Sequence, residues 1–276
     1  MSHFFNAAGF SAGEFGDLIL NTTLCRTHKE LYPDSHLTFC CNKKYAKILS
    51  LFYNNEYIDG FRIWHGYDDW PVNSDLEFIS KIQKDGGLIY NAMPRHKDEQ
   101  WFLKPGGHNI TEVHDMHGFP EPKNKQCYLN KWFDNILPPD NKIVTVCAFP
   151  SGTHPNQLAR TFNPIQFYKL FNEIEKLGYS VVRLDTKEVF ELEDRWPASK
   201  LSIIEAAQLM TDSKLFLTTD SLWSWVADGY GMNTIGWARL PAYVPVNPNG
   251  YYFVNNTIQN IPIDSILSKI EEKLKQ

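Results

Sequence analysis

The alternation of apolar and polar positions is clearest between Lys214 and Trp237. Leu215, Phe216 and Leu217 form a short continuous apolar run, the kind that fills a strand buried on both faces. Thr218, Thr219, Asp220 and Ser221 break it abruptly. Ser221 or Asp220 suits a helix N-cap, Trp223 to Tyr230 supply the body, and Gly231 falls where a left-handed C-terminal cap belongs. Thr234, Ile235, Gly236 and Trp237 then read as the next strand. In an open parallel sheet such a βαβ unit puts its polar turn at the carboxyl edge, where ligands bind. The first N–H groups of the helix lack partners within it and make a phosphate site without any metal. The same residues equally fit a helix that only caps itself.

The pattern continues on either side. Ile143 to Ala148 predicts a strand running into the turn Phe149 to Thr153. Asn163-Pro164 marks a helix start, with Phe167, Leu170, Phe171, Ile174 and Leu177 on one face and Gly178 at its end. Tyr179 to Asp185 reads as a strand, and Ser202 with Glu205 as a capping box. Ile263, Ile266, Leu267, Ile270 and Leu274 predict an amphipathic terminal helix.

The first half alternates in the same way, less regularly. An apolar run, Phe4 to Ala8, leads into Gly9 to Asp17, where Gly9, Gly13 and Gly16 suit the first βα turn of a doubly wound domain, though not with the dinucleotide-binding spacing. Phe15, Leu18, Ile19, Thr22 and Cys25 or Arg26 predict a helix stopping before Pro33. Leu37 to Cys41 and Ile58 to Trp64 read as strands, and Lys43 to Leu51 as a helix between them. From Gly66 to about Lys131 the signal weakens: Asp75 to Ile82 suits a helix, Gly87 to Tyr90 a strand, and the rest long loops. These loops hold His108, His114 and His117, which match no standard metal-ligand spacing and also fit a solvated or ligand-facing loop. Trp101, Phe102, Trp132 and Phe133 read as core, and Asp134 to Asn141, with Pro138-Pro139, as a linker.

Composition narrows the class. The chain's 276 residues suffice for one large or two ordinary domains. No stretch approaches the roughly 18 apolar residues of a membrane span, and the first residues lack a signal-peptide pattern, so a cytoplasmic protein is expected. Five scattered cysteines in apolar surroundings, Cys25, Cys40, Cys41, Cys127 and Cys147, read as reduced core residues. A net charge of -5 argues against holding nucleic acid by bulk electrostatics.

Several segments carry a resemblance. Phe149-Pro150-Ser151-Gly152, Arg160-Thr161-Phe162-Asn163, Gly178-Tyr179, Leu201-Ser202 and Asp220-Ser221-Leu222-Trp223-Ser224-Trp225 follow one another as in the heptosyltransferase-like glycosyltransferases of family 9. Gly16-Asp17 at a helix start and Leu31-Tyr32-Pro33-Asp34 at its end resemble that family's opening. Leu222 stands where the family has Gly, and Trp225 where it has His.

The resemblance implies an α/β, GT-B-like fold of two Rossmann-like doubly wound domains facing a central cleft. Residues 1–137 would form the acceptor side, 142–260 the nucleotide-sugar-binding domain, and 261–276 a helix packing back toward the first. The implied activity is a metal-independent, inverting transfer of a hexosyl or heptosyl group to a hydroxyl of a glycan, a lipopolysaccharide core, a protein or a modified nucleobase. Nucleic acid enters only as acceptor, no cofactor is called for, and peripheral membrane contact stays open. A nucleotide-sugar epimerase or hydrolase, or a non-catalytic binding module, fits the same pattern.

Asp17 would take the acceptor proton, as the family's Asp is proposed to do, although a carboxylate there also simply complements the helix dipole. Arg160 has the planar fork for phosphate oxygens, or forms a surface ion pair. Ser151, Gly152, Thr219, Asp220, Ser221, Leu222 and Trp223 complete the expected donor site. Gly13, Gly16 and His114 lie on the acceptor side, and Glu14 and Asp185 are base- or ribose-contact candidates that equally suit ordinary exposed carboxylates.

Overall fold

The computed structural model describes residues 6–11, 15–64, 73–91, 109–149 and 160–275. The chain divides into two compact units, Met1–Trp132 and Phe133–Gln276.

The first unit runs β1 (Asn6–Ser11), α1 (Phe15–Leu20), α2 (Thr22–Leu31), β2 (His36–Asn42), β3 (Gly60–Trp64), α3 (Asn73–Lys84), β4 (Leu88–Asn91) and α4 (Asn109–Met116). Its strands form one parallel sheet in the order β3-β2-β1-β4. Leu18, Ile19, Leu24, Phe39, Ile48 and Phe52 are buried in this unit. The long predicted helix before Pro33 is interrupted at Asn21, where the hydroxyls of Thr22 and Thr23 donate to the carbonyls of Ile19 and Leu20 at 2.7 and 2.8 Å and bend the run.

Three expectations change here. Gly9, Phe10 and Ser11 continue β1 instead of turning. The segment Lys43–Phe52, expected as an α-helix, is a 3-10 helix capped by Asn42. Its buried Tyr45, Ile48 and Leu51 recur every three residues, which a helix of three residues per turn places on one line. The loop expected around His114 is α4, with Ile110 and Val113 turned into the core.

The second unit runs β5 (Ile143–Cys147), α5 (Pro164–Lys176), β6 (Ser180–Arg183), α6 (Phe190–Glu193), α7 (Ile203–Asp212), β7 (Leu215–Thr218), α8 (Leu222–Gly229), β8 (Thr234–Ala238), β9 (Gly250–Val254) and α9 (Ile263–Leu274). Its parallel sheet has the order β6-β5-β7-β8-β9. The expected capping box of Ser202 with Glu205 opens α7, and a second, of Asn163 with Gln166, opens α5 at the expected start. Gly178 and Gly231, just past α5 and α8, have φ of 86° and 62°, where a side chain would be strained.

The α5 face of Phe167, Leu170, Phe171 and Ile174 is fully buried, and each such side chain contributes about 1.5–3 kcal/mol. The apolar face of α9, Ile263, Ile266 and Ile270, goes into the same core. The expected linker is likewise fastened to this unit. Asp212 accepts from the N–H groups of Ile136 and Leu137 at 2.5 and 3.2 Å, and Asn141 donates to the Asp212 carbonyl at 3.0 Å.

Candidate functional site at the carboxyl edge of the second sheet

Chain order reverses across the second sheet between β5 and β7: β6 lies to one side of β5, and β7, β8 and β9 to the other. In open α/β sheets such a reversal marks the place, at the carboxyl ends of the two strands, where ligands bind. The segments that reach it are Ala148-Phe149 after β5 and Thr219-Asp220-Ser221 after β7.

Ser221 is the N-cap of α8, its hydroxyl accepting from the Trp223 N–H at 3.3 Å. Its carbonyl takes the Ser224 hydroxyl at 2.6 Å. The Ser221 hydroxyl also lies 3.8 Å from the Cys147 thiol and 3.5 Å from the Thr218 hydroxyl, so the ends of β5 and β7 meet on this one side chain. Cys147 is fully buried, and burial pushes its thiol well above the ordinary range, leaving a neutral neighbour and no nucleophile. Leu222 and Trp223 are half-buried at the helix opening, where the dipole favours an anion.

Arg160 is held beside this opening from two sides. Its Nε and one terminal nitrogen donate to Asp220 Oδ2 at 3.2 and 3.1 Å, and its carbonyl accepts the Thr219 hydroxyl. The Asp220 side chain is 7% exposed and that of Arg160 24%, so the acid is sunk and the guanidinium still reaches solvent. Thr219, expected to touch the donor, is fully buried and spends its hydroxyl on positioning Arg160. The Thr161 hydroxyl bonds to the Ala148 carbonyl and ties the same segment to the end of β5.

Asp185 was expected to face a ligand and instead faces inward. One oxygen accepts from Arg183 at 2.6 Å, and the other from the Ala148 N–H at 3.0 Å and Arg183 Nε at 3.4 Å. Fully buried Arg183 also donates to Glu193 at 2.9 Å and to the Trp196 carbonyl at 2.8 Å. Burial alone would lower the Arg183 pKa, but the hydrogen bond and charge of Asp185 outweigh it and raise it.

His114 is also corrected. It is fully buried, with Nε2 at 2.9 Å from the Thr27 hydroxyl and Nδ1 at 2.7 Å from the Ile110 carbonyl, so it joins α4 to α2 and offers nothing to an acceptor. Burial, its largest influence, lowers its pKa and keeps the ring neutral. His117 stacks edge-on against Tyr90, and His108 lies outside the described residues. Among the described residues no group of three His, Cys, Asp or Glu side chains could hold a metal ion. The five cysteines are buried and free, as expected.

In the first sheet, chain order reverses between β1 and β4, and α1 follows β1 there. Gly16 and Asp17 sit in the opening turn of α1; the Asp17 side chain lies outside the described part, as do Gly13, Glu14, Ser151 and Gly152. Four residues after Asp17, Asn21 is buried, with neither end of its amide hydrogen-bonded among the described residues. Nothing in the sequence singles out Asn21, since an amide at a helix break has many ordinary uses.

The architecture is that of two Rossmann-like units of the GT-B type, the class of fold expected from the resemblance to family 9. No family model matches the sequence, and no curated protein matches it. Solved structures do. The glycosyl transferase family 9 protein from Veillonella parvula DSM 2008 superposes with a TM-score of 0.72 at 13% identity, over 100% of this chain and 99% of that one. E. coli ADP-heptose lps heptosyltransferase II gives 0.70 at 12% identity over 99% of both chains. E. coli heptosyltransferase WaaC with ADP gives 0.66 at 10% identity, covering 98% of this chain and 100% of that one. At such identities the likeness is one of fold.

Proposed function

We propose that the protein is a glycosyltransferase that binds a nucleotide-sugar through its diphosphate at the carboxyl edge of the second sheet. The observation that carries this reading is the junction of Arg160 with the Ser221-capped opening of α8 at the strand-order reversal. A guanidinium and a helix N-terminus both hold phosphate oxygens without a metal, and both stabilise negative charge as the diphosphate departs. The structures of like fold include heptosyltransferase WaaC with ADP and with ADP-2-deoxy-2-fluoro heptose, which favours a nucleotide-sugar over other anions as ligand of this edge.

In this reading Asp17, in the opening turn of the first unit's α1, removes the proton from the acceptor hydroxyl. One positioned carboxylate suffices for direct displacement, so the product is inverted at the anomeric carbon and no metal takes part. The acceptor is a hydroxyl of a glycan or of a comparable hydroxyl-bearing molecule. Incubation with nucleotide-sugars and a hydroxyl acceptor tests the proposal: Asp17→Ala should abolish transfer and leave donor binding unchanged. Retention of anomeric configuration by NMR would contradict the displacement. Turnover of donor without any acceptor would favour an epimerase or hydrolase.

A further inference from the structure

The charge at the proposed site does not balance. A diphosphate brings two phosphoryl groups, while Arg160 already shares its charge with Asp220 through two of its nitrogens. Another cation of this edge, Lys187, lies 5.3 Å over the Phe149 ring.

The four arginines of the second unit are Arg160, Arg183, Arg195 and Arg239. Arg160 is paired with Asp220, Arg183 with Asp185 and Glu193, and Arg195 with Glu175. Arg239 has no ion pair or hydrogen bond among the described residues, and its Nε is buried without an acceptor. An exposed arginine leaves its nitrogens to water; a guanidinium nitrogen shut away from water with no acceptor costs stability and calls for an explanation.

Its place in the fold says which partner. Arg239 is the first residue past the carboxyl end of β8, and β8 lies beside β7. In the parallel register Leu217 pairs with Ile235 and Thr218 with Gly236. β7 ends at Thr218 and β8 at Ala238, so Ser221 and Arg239 both follow the carboxyl ends of adjacent strands. Leu217, Ile235 and Trp237 all enter the core that contains Phe162, and Trp237 lies 4.9 Å from the Phe162 ring. Phe162 is two residues after Arg160. Arg239 thus follows Trp237 by two residues and Arg160 precedes Phe162 by two, and the Trp237 and Phe162 rings meet.

We infer that Arg239 is a second phosphate-binding arginine of the donor site, completing with Arg160 and the α8 opening a cradle for two phosphoryl groups that selects a diphosphate over a monophosphate. The inference rests on the proposed function and adds one residue and one selectivity to it.

Calorimetric titration of the full chain with ADP, UDP and GDP, and with AMP, UMP and GMP, tests both levels separately. The wild type should prefer a diphosphate. Arg239→Gln should weaken that diphosphate by about tenfold or more, as loss of a charge-assisted pair does, and leave the matching monophosphate unchanged. Unchanged diphosphate affinity in Arg239→Gln, or equal weakening of both nucleotides, overturns the role of Arg239 and leaves the donor site standing. A wild type that binds none of the six overturns both. Should Arg239→Gln not fold, Arg239→Lys is read in the same way: selective weakening of the diphosphate supports the inference, and unchanged binding of both overturns it.

Discussion

Two arginine–aspartate pairs stand at the same edge of the second sheet and differ in one respect. Arg183 and Asp185, at the end of β6, are both buried, and each of their bonds is made within the protein. Arg160 and Asp220, across the strand-order reversal, consist of a sunken acid and a guanidinium that still reaches solvent. The closed pair is an interior feature that knits β6 to α6 and to the end of β5. The open pair holds an arginine in place while part of its fork remains available. A pair of opposite charges at a ligand-binding edge therefore does not mark a site by itself; what marks it is the capacity left over.

Several changes would break or sharpen this contrast. Asp17→Ala, on the side where the chemistry is proposed, should lower kcat by about 10²–10⁴ with nucleotide affinity unchanged, as loss of a general base does; initial rates against a calorimetric Kd separate the two. Arg183→Met should leave Asp185 buried without its cation and cost about 3–5 kcal/mol, read from urea unfolding. Arg160→Ala should cost the fold less and the ligand more. Its guanidinium is partly exposed, but sunken Asp220 is left unpaired, so stability should fall by about 1–3 kcal/mol and donor affinity by about 1.5–3 kcal/mol.

Asn21→Leu is expected to be neutral or to raise stability by up to about 1 kcal/mol, because it removes a buried amide that no group among the described residues satisfies. A fall in turnover with that gain would place Asn21 in the service of α1's opening turn.

Near neutral pH the smallest effect comes from His28, a closed polar residue of the first unit whose ring nitrogens meet Tyr90 and Ser35 at 2.8 and 2.6 Å. Burial, and then the charge of Lys29, lowers its pKa from 6.5 to about 4. Between those values the unfolded chain binds the proton and the folded chain does not. The His28 contribution is thus complete above pH 6.5 and is lost as pH falls toward 4, so the Tm should drop across that window. His28→Gln should flatten the drop.

The contrast also explains what could be read beforehand. The start of α8, the start of α5 at Asn163, the Ser202 capping box and the glycines after α5 and α8 were legible because each is settled by residues within a few positions. His114 was not, because its burial depends on Thr27, 87 positions away. Asp185 carried a usable signal: Arg183 and Asp185 are two apart at a strand end, so they share a face and can pair. Strand β9, Gly250–Val254, went unread although Asn249-Gly250 precedes an aromatic and β-branched run. It is the outer strand of its sheet, where the alternation of burial is blurred. Arg239 could not be singled out at all, since its orphaned nitrogen exists only once the fold has shut water away from it.

The most direct test is a thermal-shift series of the wild type and Arg160→Ala against UDP-, ADP-, GDP- and CMP-sugars, because a ligand that binds only the folded state raises its stability with concentration. The account predicts that at least one nucleotide-sugar raises the Tm of the wild type progressively and that the shift shrinks in Arg160→Ala. A wild-type Tm unmoved by every one of them, or an equal shift in the two proteins, would contradict it.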